Sequence, residues 1–268
     1  MSSPVALITG ASSGIGQATA QRLAQRGYRV FGTSRIANPS AFSTTGVEFL
    51  TLDVTSDDLV RDCVQTVLER AGRIDVLVNN AGYALLGAVE ETTQAEMHAV
   101  FETDFFGAVR MTQAVLPTMR TQQKGTIIFM GVILGLIGQP FGAFLSSTKH
   151  ALEGFGESLS YEVRPFGISV SLVEPSFVAT NAHQALQQTV RQIDGYASMR
   201  QQASAKFLHD LQGGMMPEQV AQVVERIVDA RSPRLRYPIG TQARLIPMMK
   251  QLIPQRMFMS VARRAYGL

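Results

Sequence analysis

The sequence predicts an α/β fold, a parallel sheet with helices on both faces, in one domain. Three observations carry this. Short β-branched apolar runs alternate with helical patterns from one end of the chain to the other, which is how strand–helix–strand units read in sequence. The first apolar run leads through a glycine-rich turn straight into a helix. No Gly/Ser linker, internal repeat or low-complexity block interrupts the pattern, so the 268 residues offer no seam at which to divide.

Taken in order, residues 5–9 (VALIT) are continuously apolar, as in a strand buried on both faces. Residues 14–27 follow helical spacing, with Ile15, Ala18, Leu23 and Ala24 on one face and Gly27 as the stop. Residues 28–33 and 47–52 are the next strands, with a small polar stretch between them. An amphipathic helix covers 57–71, and Gly72 ends it before a strand over 74–79. One long helix spans 93–116 and terminates near Pro117. A strand over 126–130, a long helix over 145–164 and a strand over 168–173 follow. The stretch 176–216 lacks strand pattern and is rich in Gln and Ala, which predicts helical pieces of a lid. A last clear helix covers 217–230, with Val220, Val223, Val224 and Ile227 on one side.

A hydrophobic fraction of 46% with 17% charged residues excludes intrinsic disorder. No run reaches the roughly 18 apolar residues of a membrane-spanning helix. The start, MSSPVALITG, lacks the basic flank of a signal peptide. One cysteine, Cys63, excludes an internal disulfide and a cysteine-based zinc site. The expectation is a soluble protein of the reducing cytoplasm. Charge is unevenly placed: residues 1–230 hold 16 Lys+Arg against 21 Asp+Glu, whereas 231–268 hold eight basic residues and no acid. These are Arg231, Arg234, Arg236, Arg244, Lys250, Arg256, Arg263 and Arg264, alternating with apolar stretches. They predict a basic amphipathic extension, which suits a cover over a substrate cleft, a dimer contact, or peripheral contact with a membrane surface. Nothing resembles a base-reading module, so nucleic acid is not an expected partner.

The turn after the first strand reads Thr9-Gly10-Ala11-Ser12-Ser13-Gly14-Ile15-Gly16. Glycines there let the backbone approach a pyrophosphate, and the free amides and positive end of the helix hold its charge. Gly10, Ser12, Ser13, Gly14, Ile15 and Gly16 are therefore candidate cofactor contacts. At the end of the second strand, where an acid would bind a ribose 2′-hydroxyl, stands Thr33-Ser34-Arg35. Arg35 suits a 2′-phosphate through a charge-assisted forked contact, which favours NADP(H) over NAD(H). Leu52-Asp53-Val54 places a short acid where an adenine amino group would lie. Asn79-Asn80-Ala81-Gly82 provides amides and a close-approach glycine beside the cofactor.

Taken together, TGASSGIG, LDV and NNAG resemble the short-chain dehydrogenase/reductase family over essentially the whole chain, supported by VLPTMR, STKHALEGFGESL and Val173-Glu174-Pro175. The resemblance implies a Rossmann-like, doubly wound single domain, 1–268, with its cleft at the C-terminal edge of the strands. It implies a nicotinamide dinucleotide as cofactor, NADP(H) on the reading of Arg35, and a homodimer or homotetramer built on the two long helices. It also implies that the segment after Pro175 ends in a threonine, Thr180, on the nicotinamide carboxamide; Ser176 stands where glycine is usual. The closing RYPIGTQA is similar to members acting on steroids, retinoids and other lipophilic alcohols and ketones.

Reductases of this family use a Tyr-x-x-x-Lys pair, a serine thirteen residues before the tyrosine, and an asparagine on the preceding long helix. The tyrosine is the general acid, the serine orients the carbonyl oxygen, the lysine holds the nicotinamide ribose and the asparagine supports a water chain. Here Lys149 is kept, but Leu145 stands at the tyrosine position, Val132 at the serine position and Asp104 at the asparagine position. None of Tyr28, Tyr83, Tyr161, Tyr196, Tyr237 and Tyr266 has a lysine four residues on, so no change of frame restores the pair. Loss of a general acid costs about 10²–10⁴ in rate, and loss of an oxyanion donor roughly 10²–10³ more. Ordinary ketone reduction should be nearly silent.

Leu145 and Val132, with Phe144, Met130 and Leu134 nearby, predict an apolar substrate side suited to a hydrophobic small molecule. Lys149 and Asp104 remain as ionisable candidates; Asp104 also reads as a charge partner that holds Lys149. His150 follows Lys149 on a helix and points about 100° away from it. A pre-activated acceptor, an iminium or a conjugated C=C, could take hydride without the tyrosine. Non-redox cyclisation or isomerisation in the apolar cleft is the second option. A cofactor-binding pseudoenzyme, or an inactivated variant of a ketone or alcohol oxidoreductase, is the third reading.

Overall fold

The computed structural model describes residues 3–35, 46–180 and 186–267. In chain order the strands are β1 (Val5–Ile8), β2 (Arg29–Ser34), β3 (Val47–Thr51), β4 (Val76–Asn79), β5 (Ala84–Leu86), β6 (Gly125–Met130), β7 (Ile168–Pro175), β8 (Leu186–Gln188) and β9 (Arg236–Ile239). Seven of them form one sheet in the order β3-β2-β1-β4-β6-β7-β9, with every pairing parallel. Strand order reverses between β1 and β4, so the crevice at their C-terminal ends is the place where an open α/β sheet takes a ligand.

The pleat sorts the core into two layers. Leu7, Phe31, Leu77, Ile127, Phe129 and Leu172 face α2 (Asp57–Ala71), α4 (Gly107–Gln122) and α5 (Ala143–Val163). Their neighbours Ala6, Ile8, Val30, Val78, Ile128 and Val173 face α1 (Gly14–Gln25) and α7 (Pro217–Asp229). Arg22 and Glu225, 2.5 Å apart, fasten those two helices at the surface. The start of α2 is fixed locally: Ser56 Oγ accepts from Leu59 N–H, and Asp57 and Asp58 occupy the first turn.

Three expectations need correction. The helix predicted over 93–116 is two helices, α3 (Gln94–Phe101) and α4, joined by a π turn at Glu102–Phe106. Pro117 lies inside α4 rather than ending it, because Met111, Val115 and Met119 bury enough apolar surface to offset the missing N–H. The stretch 176–216 is not purely helical. Residues 181–185 lie outside the described residues, β8 pairs with β5, and only then does the helix α6 (Ala197–Gln212) begin. The extension 231–268 is not all tail, because β9 completes the sheet beside β7 before α8 (Thr241–Leu252) and α9 (Gln255–Ala265). Pro238 is tolerated there because β9 is an edge strand.

Candidate active site

The β1–α1 turn is a cradle held from beneath. Asn80 Nδ2 donates to the carbonyls of Thr9 and Gly10, each at 3.0 Å. The Asn80 and Ala81 N–H groups donate to Thr9 Oγ1 at 2.9 and 3.0 Å. Asn80 thus shapes the turn from below as well as lining the crevice. A Cβ on Gly16 would lie 2.3 Å from Gly10 O and 2.6 Å from Asn80 Nδ2, so only glycine lets helix and turn close on each other here. Ser13 sits at the N-cap without using its hydroxyl there, and the first turn of α1 carries no acidic side chain. The unbonded N–H groups of a twelve-residue helix therefore face the crevice with their positive end unopposed.

A cavity of about 430 Å³ fills this crevice. Gly10, Ser12, Ser13, Gly14, Ile15, Arg35, Asp53, Val54, Asn80, Ala81, Gly82 and Thr180 all line it. Arg35 is exposed at the rim. Asp53 uses Oδ1 on the Thr55 N–H and hydroxyl, at 3.0 and 2.8 Å, which fixes its carboxylate in the wall. Gly16, Lys149 and Pro175 do not line the cavity, and neither do Asp104, Val132 and Leu145: Gly16 is beneath the turn, and Pro175 ends β7 in register with Ile239. Sequence reasoning missed Tyr83, Thr103 and Gln187 as wall residues, and Thr55 next to the recognised Asp53-Val54. The first two adjoin Gly82 and Asp104, whereas Gln187 arrives from β8, a segment without strand pattern in its residues.

At the altered positions Leu145 is 6% exposed and packs with Leu86, Ile133, Leu134, Phe207 and Ala243, and Val132 adjoins the same cluster. These side chains form a buried apolar cluster that takes no part in the cavity lining, and two of the expected residues lie elsewhere. Met130 packs on the other side of the sheet with Ile8, Val78 and Val173, because it is the last residue of β6 and the pleat turns it toward α1 and α7. Phe144 is half-buried and stands outside the cluster.

Lys149 Nζ lies 3.2 Å from Asp104 Oδ2 and 3.5 Å from Met130 O. Asp104 is buried in the π turn, its Oδ1 accepts the Tyr83 N–H at 3.0 Å, and a Cβ on Gly82 would stand 3.1 Å from its carboxyl carbon. Burial pushes the Asp104 carboxyl above its ordinary range; the Lys149 charge and the Tyr83 N–H only partly counter it. Among the described residues Tyr83 is the one phenol in the cavity wall. Burial, and then the Asp104 charge, raise it, with Arg35 acting the other way. A proton-donating tyrosine needs the opposite shift. His150 is exposed, with Nδ1 2.8 Å from Ser146 O, and does not line the cavity.

The model of the short chain dehydrogenase family matches residues 4–191. The chain belongs to that family. It is 36% identical to 3-ketodihydrosphingosine reductase of Bacteroides thetaiotaomicron, with full coverage of both chains. It is 34% identical to retinol dehydrogenase 8 of Bos taurus, over 92% of this chain and 85% of that one. Among solved structures, a short-chain dehydrogenase from Streptomyces avermitilis superposes with a TM-score of 0.84 at 33% identity, covering 98% and 97% of the two chains. ElxO, solved with NADP bound, superposes with a TM-score of 0.76 at 25% identity, covering 90% and 98%.

This short-chain dehydrogenase also buries an acid pair behind the altered serine position. Glu174 of β7 and Glu153 of α5 are buried together beside Gly131, and Arg236 of β9 reaches Glu153 at 2.9 Å and Glu174 at 3.7 Å. One guanidinium cannot neutralise both carboxylates. Burial, followed by the Glu153 charge, pushes Glu174 up to about 8. The folded state then keeps a proton that the unfolded state releases above its ordinary value of 4.5. Its stabilising contribution is complete below 4.5 and falls as pH rises through about 8. Urea unfolding across that window should show a declining midpoint, and Glu174→Gln should flatten the decline; an unchanged slope would refute the shared proton.

Proposed function

We propose that this chain binds NADP(H) and acts on a hydrophobic small molecule whose reacting carbon needs no protein acid, an iminium or a conjugated C=C. One observation carries the reading: Val132 and Leu145 belong to one apolar cluster, while the cradle and the Lys149–Asp104 pair beside them are intact. The cradle fits the cofactor, since Gly16 leaves no room for a Cβ and the α1 N-terminus is open to an anion. When bound, NADPH supplies hydride. Gly10, Ser12, Ser13, Gly14 and Ile15 would hold the pyrophosphate, Arg35 the 2′-phosphate, and Asp53 and Val54 the adenine. Asn80, Ala81, Gly82, Pro175 and Thr180 would flank the nicotinamide half, with Lys149 on its ribose.

On the substrate side, Val132, Leu145 and Leu134 would orient the ligand by excluding water from one face of the ring. Hydride added to an iminium carbon yields a neutral amine and calls for no proton. Hydride added to a conjugated alkene leaves an enolate, which takes its proton from solvent or from Asp104. The relatives named for a long-chain ketone and for retinol support a lipophilic substrate. Cyclisation or isomerisation of such a molecule would use the same apolar surface without redox turnover, and a pseudoenzyme would use only the cradle. A homodimer or homotetramer in the cytoplasm completes the proposal.

Turnover of NADPH against lipophilic ketones, cyclic imines and enals tests it: imines or enals should be consumed and ketones not. Rapid reduction of simple ketones by the native chain would overturn it. Nicotinamide fluorescence tests Arg35 separately. Arg35→Ser should weaken NADPH roughly 10- to 100-fold, the scale of a charged hydrogen bond, and leave NADH within a factor of about two. Equal affinity of the native chain for both nucleotides would remove the role given to Arg35.

A further inference from the structure

The eight cations of the C-terminal extension are not one patch. Arg236 is engaged by Glu153 and Glu157, and Arg231 and Arg234 precede β9. The other five, Arg244, Lys250, Arg256, Arg263 and Arg264, lie on α8 and α9. Among the described residues none of the five pairs with a carboxylate, and α8 and α9 carry no acid. Lys250 Nζ reaches only Leu136 O, at 2.9 Å, and Arg244 Nε only Pro238 O.

The apolar residues of α8 are divided between two opposite faces. Ala243 and Ile246 point inward and close the cluster that contains Leu145 and Leu134. Leu245, Met248, Met249 and Leu252, spaced i, i+3, i+4 and i+7, form a stripe on the outer face, 45%, 48%, 41% and 73% exposed. On α9, Met257 and Val261 are exposed in line with Arg264. A contiguous apolar stripe left to water and bordered by cations marks a contact surface.

We propose that α8 and α9 dock on an anionic lipid bilayer surface, with Leu245, Met248 and Leu252 entering the acyl boundary and Arg256, Arg263 and Arg264 facing the headgroups. A second copy of the chain fits less well, because a twofold contact sets the same surface against itself and places these unpaired cations against one another. An anionic surface complements them. Since the inner face of α8 covers the apolar cluster, the bilayer would lie one helix away from the Val132–Leu145 surface. On this reading, which rests on the hydrophobic-substrate proposal, the lipophilic molecule reaches the cleft from the bilayer.

Co-sedimentation of the whole protein with phosphatidylcholine vesicles, with and without phosphatidylglycerol, tests the docking. Binding should require phosphatidylglycerol and weaken with added salt. Leu245→Gln/Met248→Gln/Leu252→Gln should abolish it while NADPH titration stays native. Arg263→Gln/Arg264→Gln should weaken it about fivefold per charge removed, which keeps the test decisive if the triple variant does not fold. Three results would overturn the proposal: no sedimentation with anionic vesicles, equal binding to both vesicle types, or a concentration-dependent dimer that the triple variant loses. No substrate is present, so failure here leaves the imine and enal prediction standing, and failure of that prediction leaves vesicle binding unchanged.

Discussion

Installing Tyr at position 145 and Ser at position 132 together (Leu145→Tyr, Val132→Ser) is expected to raise NADPH-dependent reduction of a simple lipophilic ketone by about 10³-fold or more. Of the remaining constellation Lys149 is kept, with Asp104 in the place of the asparagine. Lys149 lies one helical turn beyond position 145 on α5, held 3.2 Å from Asp104. Both altered side chains belong to the same cluster, so the new hydroxyls would enter one space. Neither single variant should gain as much, because a phenol and an oxyanion donor act on the same developing alkoxide. Leu145 is 6% exposed, so the larger ring must displace neighbours such as Leu86 or Phe207, and some stability loss is expected. Single-turnover assays with saturating NADPH provide the measurement. A folded, NADPH-binding double variant with no gain would show that these positions do not share a reacting carbon.

Removing the carboxyl of Asp104 is the largest expected loss of stability. Asp104→Ala leaves Lys149, whose side chain is 12% exposed, without its counter-charge and deprives the Tyr83 N–H of its acceptor. Breaking a buried ion pair from one side costs about 3–5 kcal/mol. Asp104→Asn also removes the counter-charge but keeps an oxygen for the Tyr83 N–H, so it should cost less than Asp104→Ala by on the order of 1–2 kcal/mol. Urea unfolding of the three proteins checks the ranking. Equal, small losses for both variants would mean that Asp104 does not hold Lys149. Lys149→Met in the Asp104→Ala background should recover part of the loss, because it removes the orphaned ammonium.

Much of the site was legible because its parts are local. The TGASSGIG turn, the Arg35 position and the NNAG segment each sit at a strand end, and a strand followed by a glycine turn and a helix can be read from adjacent residues. The losses at 132 and 145 were legible for a related reason, since a spacing fixed along the chain shows what stands at each position. The two-sided character of Met130 and Val132 was not. They are two residues apart, but β6 ends between them, and the pleat of the strand no longer governs the second. Tyr83 and Gln187 show the same limit: one is adjacent to a recognised motif, and the other is carried to the cavity by a three-residue strand that only β5 stabilises.

The chain's sequence alone determined the parallel α/β architecture, the glycine-rich turn and the absence of protic side chains at positions 132 and 145, since periodicity, glycine placement and residue chemistry are properties of neighbours along the chain. Tertiary structure alone decided three other things. It brought Glu174, Glu153 and Arg236 into one buried cluster, closed the 93–116 segment around Asp104 through a π turn, and split the basic extension into an edge strand and two amphipathic helices. Each of these depends on contacts between segments far apart in sequence, and their energies come from burial and charge in a space that the linear order does not contain.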